Sequence, residues 1–315
     1  MHQIEFRAMG SQMHAIVDDD SAAAAEALAQ VPAWFEAWEQ ALSRFRPDSE
    51  LSRLNQAHGQ AMPVGPLLWD AVDLAFTTER ASGGLVTPTQ LSALEAAGYD
   101  RSFDALPKSG ERPADPEWPL GVPRPAPDLS RAVRRDARQH TLQLADGVRL
   151  DLGGVGKGWA ADEAARRLAG IGPALVDAGG DISISAARAG ATPWTVSIAN
   201  PFFPDDGLES LQLTRRLGLA TSGRDHRRWQ RNGRWLHHIL DPRTGQPAQT
   251  DLITATVLAA TTARAEMAAK VALILGSQAG LAWLAARTDL AGCLVMEDGR
   301  VLRTDSLAAY TPVMD

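Results

Sequence analysis

The sequence predicts an α+β fold in which a mainly antiparallel sheet is flanked by helices. Three observations carry this. Short strand candidates follow one another in meanders, the helical patterns are segregated from them rather than alternating strand by strand, and one long alanine-rich segment has the composition of a core helix. With 315 residues, 45% of them hydrophobic, the chain can build a substantial core in one large domain or two lobes.

Residues 4–18 alternate weakly and read as a strand. Ser21 can cap a helix over Ala22–Gln30, and Pro32 suits the start of a second helix running to about Leu42. Trp34, Phe35, Trp38 and Leu42 give that second helix one apolar face, which reads as core. Leu67–Ala81 is a further amphipathic helix closed by Gly83-Gly84. Seven prolines between Pro107 and Pro127 exclude a helix or central strand, so residues 107–128 read as a surface excursion. Thr141–Asp151 reads as two hairpin strands around Asp146-Gly147. A helix at Trp159–Ala169 precedes strands at 174–177, 181–185, 194–199 and 253–259, and a long helix from Thr262 to about Leu275 follows.

Composition narrows the function. A net charge of −7 gives no sequence-wide attraction to nucleic acid or to an anionic membrane, so anion recognition must be local. Cys293 is the only cysteine, which excludes an intramolecular disulfide and a cysteine-based metal cluster. The opening MHQIEFRAMGSQ lacks a basic region followed by an apolar one, and a cytoplasmic location is expected. The most apolar window, Leu252 to Leu275, is interrupted by Arg264, Glu266 and Lys270, so no membrane span is expected.

The most informative stretch is Leu150-Asp151-Leu152-Gly153-Gly154-Val155-Gly156-Lys157-Gly158. Four glycines and a lysine between an apolar run and a helix form an anion cradle: consecutive N–H groups converge without Cβ interference, and the helix adds the positive end of its dipole. A Walker A loop would require glycine at Asp151 and a hydroxyl residue at Gly158, and both fail. A dinucleotide fingerprint starting at Gly154 would require glycine at Trp159, although Asp177 lies where a ribose-binding acid could stand. A tight strand-to-helix turn without a ligand is the alternative.

Several separated segments point one way. Met9-Gly10-Ser11, Leu42-Ser43-Arg44-Phe45, Ser49-Glu50-Leu51-Ser52-Arg53-Leu54-Asn55, Pro88-Thr89, the glycine loop, Asp177-Ala178-Gly179-Gly180-Asp181, Ala220-Thr221-Ser222-Gly223 and His238-Ile239-Leu240-Asp241-Pro242-Arg243-Thr244-Gly245 occur in that order. Together, over roughly residues 5–276, they resemble the FAD:protein FMN transferase (ApbE) family. The resemblance implies one ApbE-like flavin transferase domain over residues 1–315, with two closely packed lobes. It also implies an activity: FAD is the substrate, FMN is attached through a phosphoester to a Thr or Ser of a target protein, and AMP is released.

The resemblance assigns parts to this chain. Asp151, Gly153, Gly154, Gly156 and Lys157 would wrap the pyrophosphate or adjoining ribose, with Lys157 as a point charge. His238 would handle the hydroxyl proton, since an imidazole near its ordinary pKa suits a general base, whereas a lone histidine in an apolar strand is otherwise structural. His237 would face the other way in an extended segment and is the weaker candidate. Thr221, Ser222 and Gly223 would approach the flavin, or form an ordinary loop. Asp241 belongs to a turn that could place His238. Asp177 and Asp181, around Gly179 and Gly180, would hold the loop or a nucleotide hydroxyl, or Asp181 simply opens a strand. Met9 and Ser11 would line the flavin site.

One departure stands out. The family places Asp and Thr four apart on a helix as magnesium ligands, assisted by a glycine-loop carbonyl. The aligned pair here is Glu266 and Lys270, which leaves Glu266 and the Gly156 carbonyl as the expected metal ligands. A protonated lysine cannot ligate magnesium. Alone, the pair reads as a favourable i,i+4 surface contact, but the helix is apolar on nearly every face and so reads as buried. Lys270 could place an ammonium where the metal would stand and take a catalytic role. The leading expectation is an FMN transferase with magnesium possible or replaced by Lys270. A second is a non-catalytic FAD-binding protein with an altered metal site. A third, a nicotinamide-dependent oxidoreductase, would need a parallel βαβ unit at residues 148–177.

Overall fold

The structure, a computed structural model, describes residues 1–106, 124–203, 205–231 and 234–312. The expected proline-rich excursion lies outside the described residues except for 124–128. The chain divides into two compact units: Met1–Phe35 with Lys157–Asp225 and Thr250–Asp315, and Glu36–Gly156 with His226–Gln249.

The first unit is built on an eight-stranded sheet whose spatial order is its chain order: His2–Ala8, Ser11–Val17, Ala174–Ala178, Asp181–Ile184, Leu217–Gly223, Leu252–Ala259, Ala291–Met296 and Val301–Arg303. Every pairing is antiparallel, as α+β requires. The oxidoreductase expectation falls here, because Ala174–Ala178 pairs antiparallel with both neighbours and residues 148–151 form no strand.

Side-chain alternation divides the sheet's faces. Ile182, Ile184, Leu217 and Leu219 join Trp194, Val196, Ile198, Leu211 and Leu213 of the hairpin Trp194–Ala199/Gly207–Leu213 in one apolar cluster. Asp181, Ser183 and Gly218 alternate with them, and their partners come from two helices, Gly156–Leu168 and Thr262–Ala285. Gly218 lies so close to the start of the second helix that a Cβ there would stand 2.1 Å from the Thr262 nitrogen. By length and composition the helix Thr262–Ala285 could cross a membrane, but Ala263, Ala265, Met267, Ala268, Ala269, Val271, Ala272 and Leu273 are buried in this unit's core. Cys293 is buried in the sheet, and burial pushes its thiol up to about 11.

The second unit holds a three-stranded sheet in the order Met62–Pro63, Thr141–Leu144, Val133–Asp136, the helices Glu50–Asn55, Pro66–Ser82 and Leu91–Ala96, and the hairpin Arg228–Arg231/Arg234–His237. Leu94, Ala97, Tyr99, Leu106, Trp229 and Leu240 form one of its cores.

Four expectations are corrected. Residues 4–18 form two strands, because Met9 and Gly10, at φ of 50° and 66°, reverse the chain between them. Ala22–Leu42 is one helix despite Pro32; Ser21 Oγ caps it by accepting from the Ala24 N–H at 3.2 Å, while Phe35, Trp38 and Leu42 are buried. After Gly147 no partner strand forms. Thr141–Leu144 pairs instead with Val133–Asp136, and the backbone at 150–151 is held by the Asn55 side chain and the Pro88 carbonyl. The final long helix continues to Ala285, but its backbone breaks at Gly276, φ 80°, just past the expected end at Leu275.

Candidate active site

In the first unit two helices are locked in register by one carboxylate. Asp162 Oδ1 accepts from the Thr262 N–H at 2.9 Å and Oδ2 from the Ala263 N–H at 3.0 Å, filling donors that a helix start leaves open. Asp162 Oδ1 also accepts from Ser183 Oγ at 2.9 Å, which ties the joint to the sheet. One turn back along the first helix is Gly158, and one turn forward along the second is Glu266. The Gly158 N–H donates to Glu266 Oε2 at 3.0 Å. A Cβ at Gly158 would stand 2.8 Å from that oxygen, so only glycine admits the contact.

Glu266 is the centre of a charge cluster. Its Oε1 accepts from Lys270 Nζ at 2.8 Å, and Lys157 Nζ pairs with Asp181 Oδ2. The carboxylate side chains of Glu266 and Asp181 are each 1% exposed, against 16% for Lys270 and 18% for Lys157. The anions are sealed and the cations are partly exposed. Burial pushes the Glu266 carboxyl above the ordinary range, Lys270 opposes this most, Asp181 adds to the push and Lys157 counters it. Asp181 Oδ1 is buried and accepts no hydrogen bond. The pair Glu266–Lys270 is therefore no surface decoration, as the all-round apolar character of its helix implied.

The other expected residues of this unit are local. Gly179 and Gly180, at φ of 70° and 92°, turn the chain between Ala174–Ala178 and Asp181–Ile184, and the Gly180 N–H donates to Asp177 Oδ1 at 2.7 Å. Asp177 thus holds the loop, and burial raises its carboxyl pKa. Ser11 lies against this turn, 2.6 Å from where a Cβ on Gly179 would stand, and Met9 is in the adjoining hairpin turn. Thr221, Ser222 and Gly223 end a central strand rather than forming a loop; Thr221 Oγ1 is 2.9 Å from Thr256 Oγ1, and Ser222 is buried.

The second unit holds Asp151, Gly153, Gly154, Gly156, His238 and Asp241. Asp151 Oδ1 accepts from the Gly153 N–H at 2.5 Å, and its Oδ2 lies 2.5 Å from the buried Arg44 Nε. Arg44 also donates to the Tyr99 carbonyl at 2.8 Å. Tyr99 meets His238 edge-on, with ring centroids 6.4 Å apart, and stacks on Trp229 at 5.6 Å. The glycine loop and His238 are thereby connected through Arg44 and Tyr99. Burial pushes the Tyr99 phenol up, so it stays neutral beside the imidazole. His238 stands in a bend just after the strand Arg234–His237, not in the strand itself. His237 is buried, its Nε2 3.2 Å from the Ala248 carbonyl oxygen, which suits a structural part. Asp241 caps its own turn by accepting from the Arg243 N–H at 2.9 Å.

Magnesium, which the resemblance implies, does not fit the residues present. Both Glu266 oxygens are engaged and Lys270 has no lone pair to offer, which leaves the Gly156 carbonyl, at the start of the helix Gly156–Leu168, without side-chain ligands to assist. Among the described residues no three His, Cys, Asp or Glu side chains group to hold a metal.

Sequence reading missed Asp162, Tyr99 and the role of Arg44. Asp162 carried a legible signal, since it lies four residues after Gly158 on the same helix face. Tyr99 carried none, and Arg44, though part of the Leu42-Ser43-Arg44-Phe45 segment, gave no sign of its partner, because their contact spans 55 residues.

Residues 9–294 match the family model described as the ApbE family. A relative from Salmonella typhimurium, named FAD:protein FMN transferase, is 28% identical and covers 96% of this chain and 86% of its own length. One of the same name from Treponema pallidum is also 28% identical, over 92% of this chain and 82% of its own. Among solved structures, the ApbE protein of Thermotoga maritima has a TM-score of 0.85 at 21% identity, covering 99% of each chain. The flavinyl transferase ApbE of Pseudomonas stutzeri gives 0.79 at 22%, covering 100% of this chain and 98% of its own.

Proposed function

The chain belongs to the ApbE family, and on that premise we propose that it transfers FMN from FAD to a Thr or Ser hydroxyl of an acceptor protein, releasing AMP. The bond that forms joins the acceptor oxygen to the phosphorus of the FMN half. The bond that breaks joins that phosphorus to the bridging oxygen of the diphosphate, which leaves with AMP. His238 takes the hydroxyl proton. Charge on the diphosphate oxygens is met by the Lys157 and Lys270 ammoniums, each steadied by a buried carboxylate, and little else is asked of the protein in a phosphoryl transfer beyond position and charge. The observation that carries this reading is that sealed anions present two cations beside the helix that follows the glycine loop.

The test is to incubate the purified protein with FAD and a candidate acceptor domain bearing Thr or Ser. An FMN-sized mass gain on the acceptor with matching AMP is expected. FAD that binds and is recovered intact would favour the second reading, a flavin-binding protein without transfer, which the altered pair Glu266–Lys270 supports.

A further inference from the structure

The misfit with magnesium points to what this chain uses instead. A divalent ion at Glu266 would have to displace an ammonium already bonded at 2.8 Å, from a carboxylate that is 1% exposed, and would leave that ammonium beside a double charge. The formal charges of Lys157, Lys270, Asp181 and Glu266 already cancel, so the buried carboxylates call for no further cation. The geometry is also fixed before any ligand arrives: Asp162 sets the register of the two helices, Gly158 holds one oxygen of Glu266, and the other orients Lys270.

We propose that the Lys270 ammonium, seated on Glu266 at the helix positions the family gives to its magnesium ligands, serves as the built-in cation for the diphosphate of FAD, so that this chain binds FAD without a metal. The inference rests on the flavin reading above. An ammonium donates to phosphate oxygens and supplies one positive charge, and unlike a metal it is not removed by chelators or exchanged.

The test measures FAD affinity by equilibrium dialysis, with EDTA or with excess magnesium, and needs no variant for its first arm. The unmodified protein is expected to bind FAD equally, within about twofold, in both conditions. Lys270→Met, and the charge-neutral pair Glu266→Gln with Lys270→Met, should each weaken binding in EDTA by about 10- to 100-fold, the worth of a charge-assisted hydrogen bond. Lys270→Arg should keep most of the affinity. Glu266→Asp with Lys270→Thr should bind weakly in EDTA and recover with magnesium, since two oxygen ligands are restored. Tenfold or greater strengthening of FAD binding to the unmodified protein by magnesium would overturn the inference, as would undiminished binding by a folded Lys270→Met. Failure of FAD to bind under either condition would overturn the flavin reading itself, and this inference with it.

Discussion

The two units treat polar groups in opposite ways. In the first, Lys157–Asp181 and Lys270–Glu266 are preset ion pairs with their carboxylates sealed, and Asp162 clamps the helices that carry them. In the second, His238 stands in a bend beside the edge of Tyr99, and a buried pair, Arg44–Asp151, shapes the loop and the tyrosine. Fixed charge suits holding a diphosphate; an imidazole beside a neutral ring suits moving a proton. The difference teaches that binding and turnover should separate by unit when residues are removed.

The largest effect should come from His238→Ala. Transfer is expected to fall about 10²- to 10⁴-fold, as for loss of a general base, while FAD affinity measured by dialysis changes little. Equal losses in both would make His238 a binding residue and blur the contrast. Lys157→Met should do the reverse, weakening FAD binding about 10- to 100-fold and leaving most of the rate at saturating FAD.

Asp162→Ala sharpens the comparison on stability. It opens two helix-start donors and frees Ser183, so a loss of about 2 kcal/mol in urea unfolding is expected, with weakened FAD binding because Glu266 loses its register. A variant that melts normally and binds FAD normally would show that the clamp is not what presets the cluster.

The smallest effect concerns pH. Burial raises the folded Asp177 pKa above its unfolded value, so the folded state holds that proton more tightly, and the resulting penalty appears as pH rises from the unfolded pKa through the folded one. Asp177→Asn keeps the acceptor for the Gly180 N–H without the charge. It should melt slightly higher than the parent at neutral pH, and the difference should vanish below about pH 4. A constant difference across that range would mean that Asp177 titrates normally.

Local signals were legible where local physics decides. Ser21 caps its helix, Gly83 ends another in the left-handed region, the strand Trp194–Ala199 alternates buried and exposed, and Ala174–Ala178 is a short apolar run buried on both faces. The unmatched parts depend on distant partners. Thr221 to Gly223 can be read as an ordinary loop because the residues are small or polar, yet they end the strand Leu217–Gly223, which is paired on both sides and in which Gly218 must be bare for Thr262 to approach. Arg149 to Asp151 looks like a strand until Asn55, 95 residues away, takes both hydrogen-bonding groups of Leu150. In the site, the departure at Glu266 and Lys270 was visible from residue types alone; that Glu266 spends its second oxygen on Gly158, 108 residues away, was not.

One measurement bears most directly on this division of labour: single-turnover transfer to an acceptor as a function of FAD concentration, in EDTA, for the unmodified protein, Lys270→Met and His238→Ala. The account predicts that Lys270→Met shifts the half-saturating FAD concentration upward and regains most of the plateau, whereas His238→Ala loses the plateau with little shift. Two variants that lose plateau and half-saturation together, or an unmodified protein that transfers nothing until magnesium is added, would contradict it.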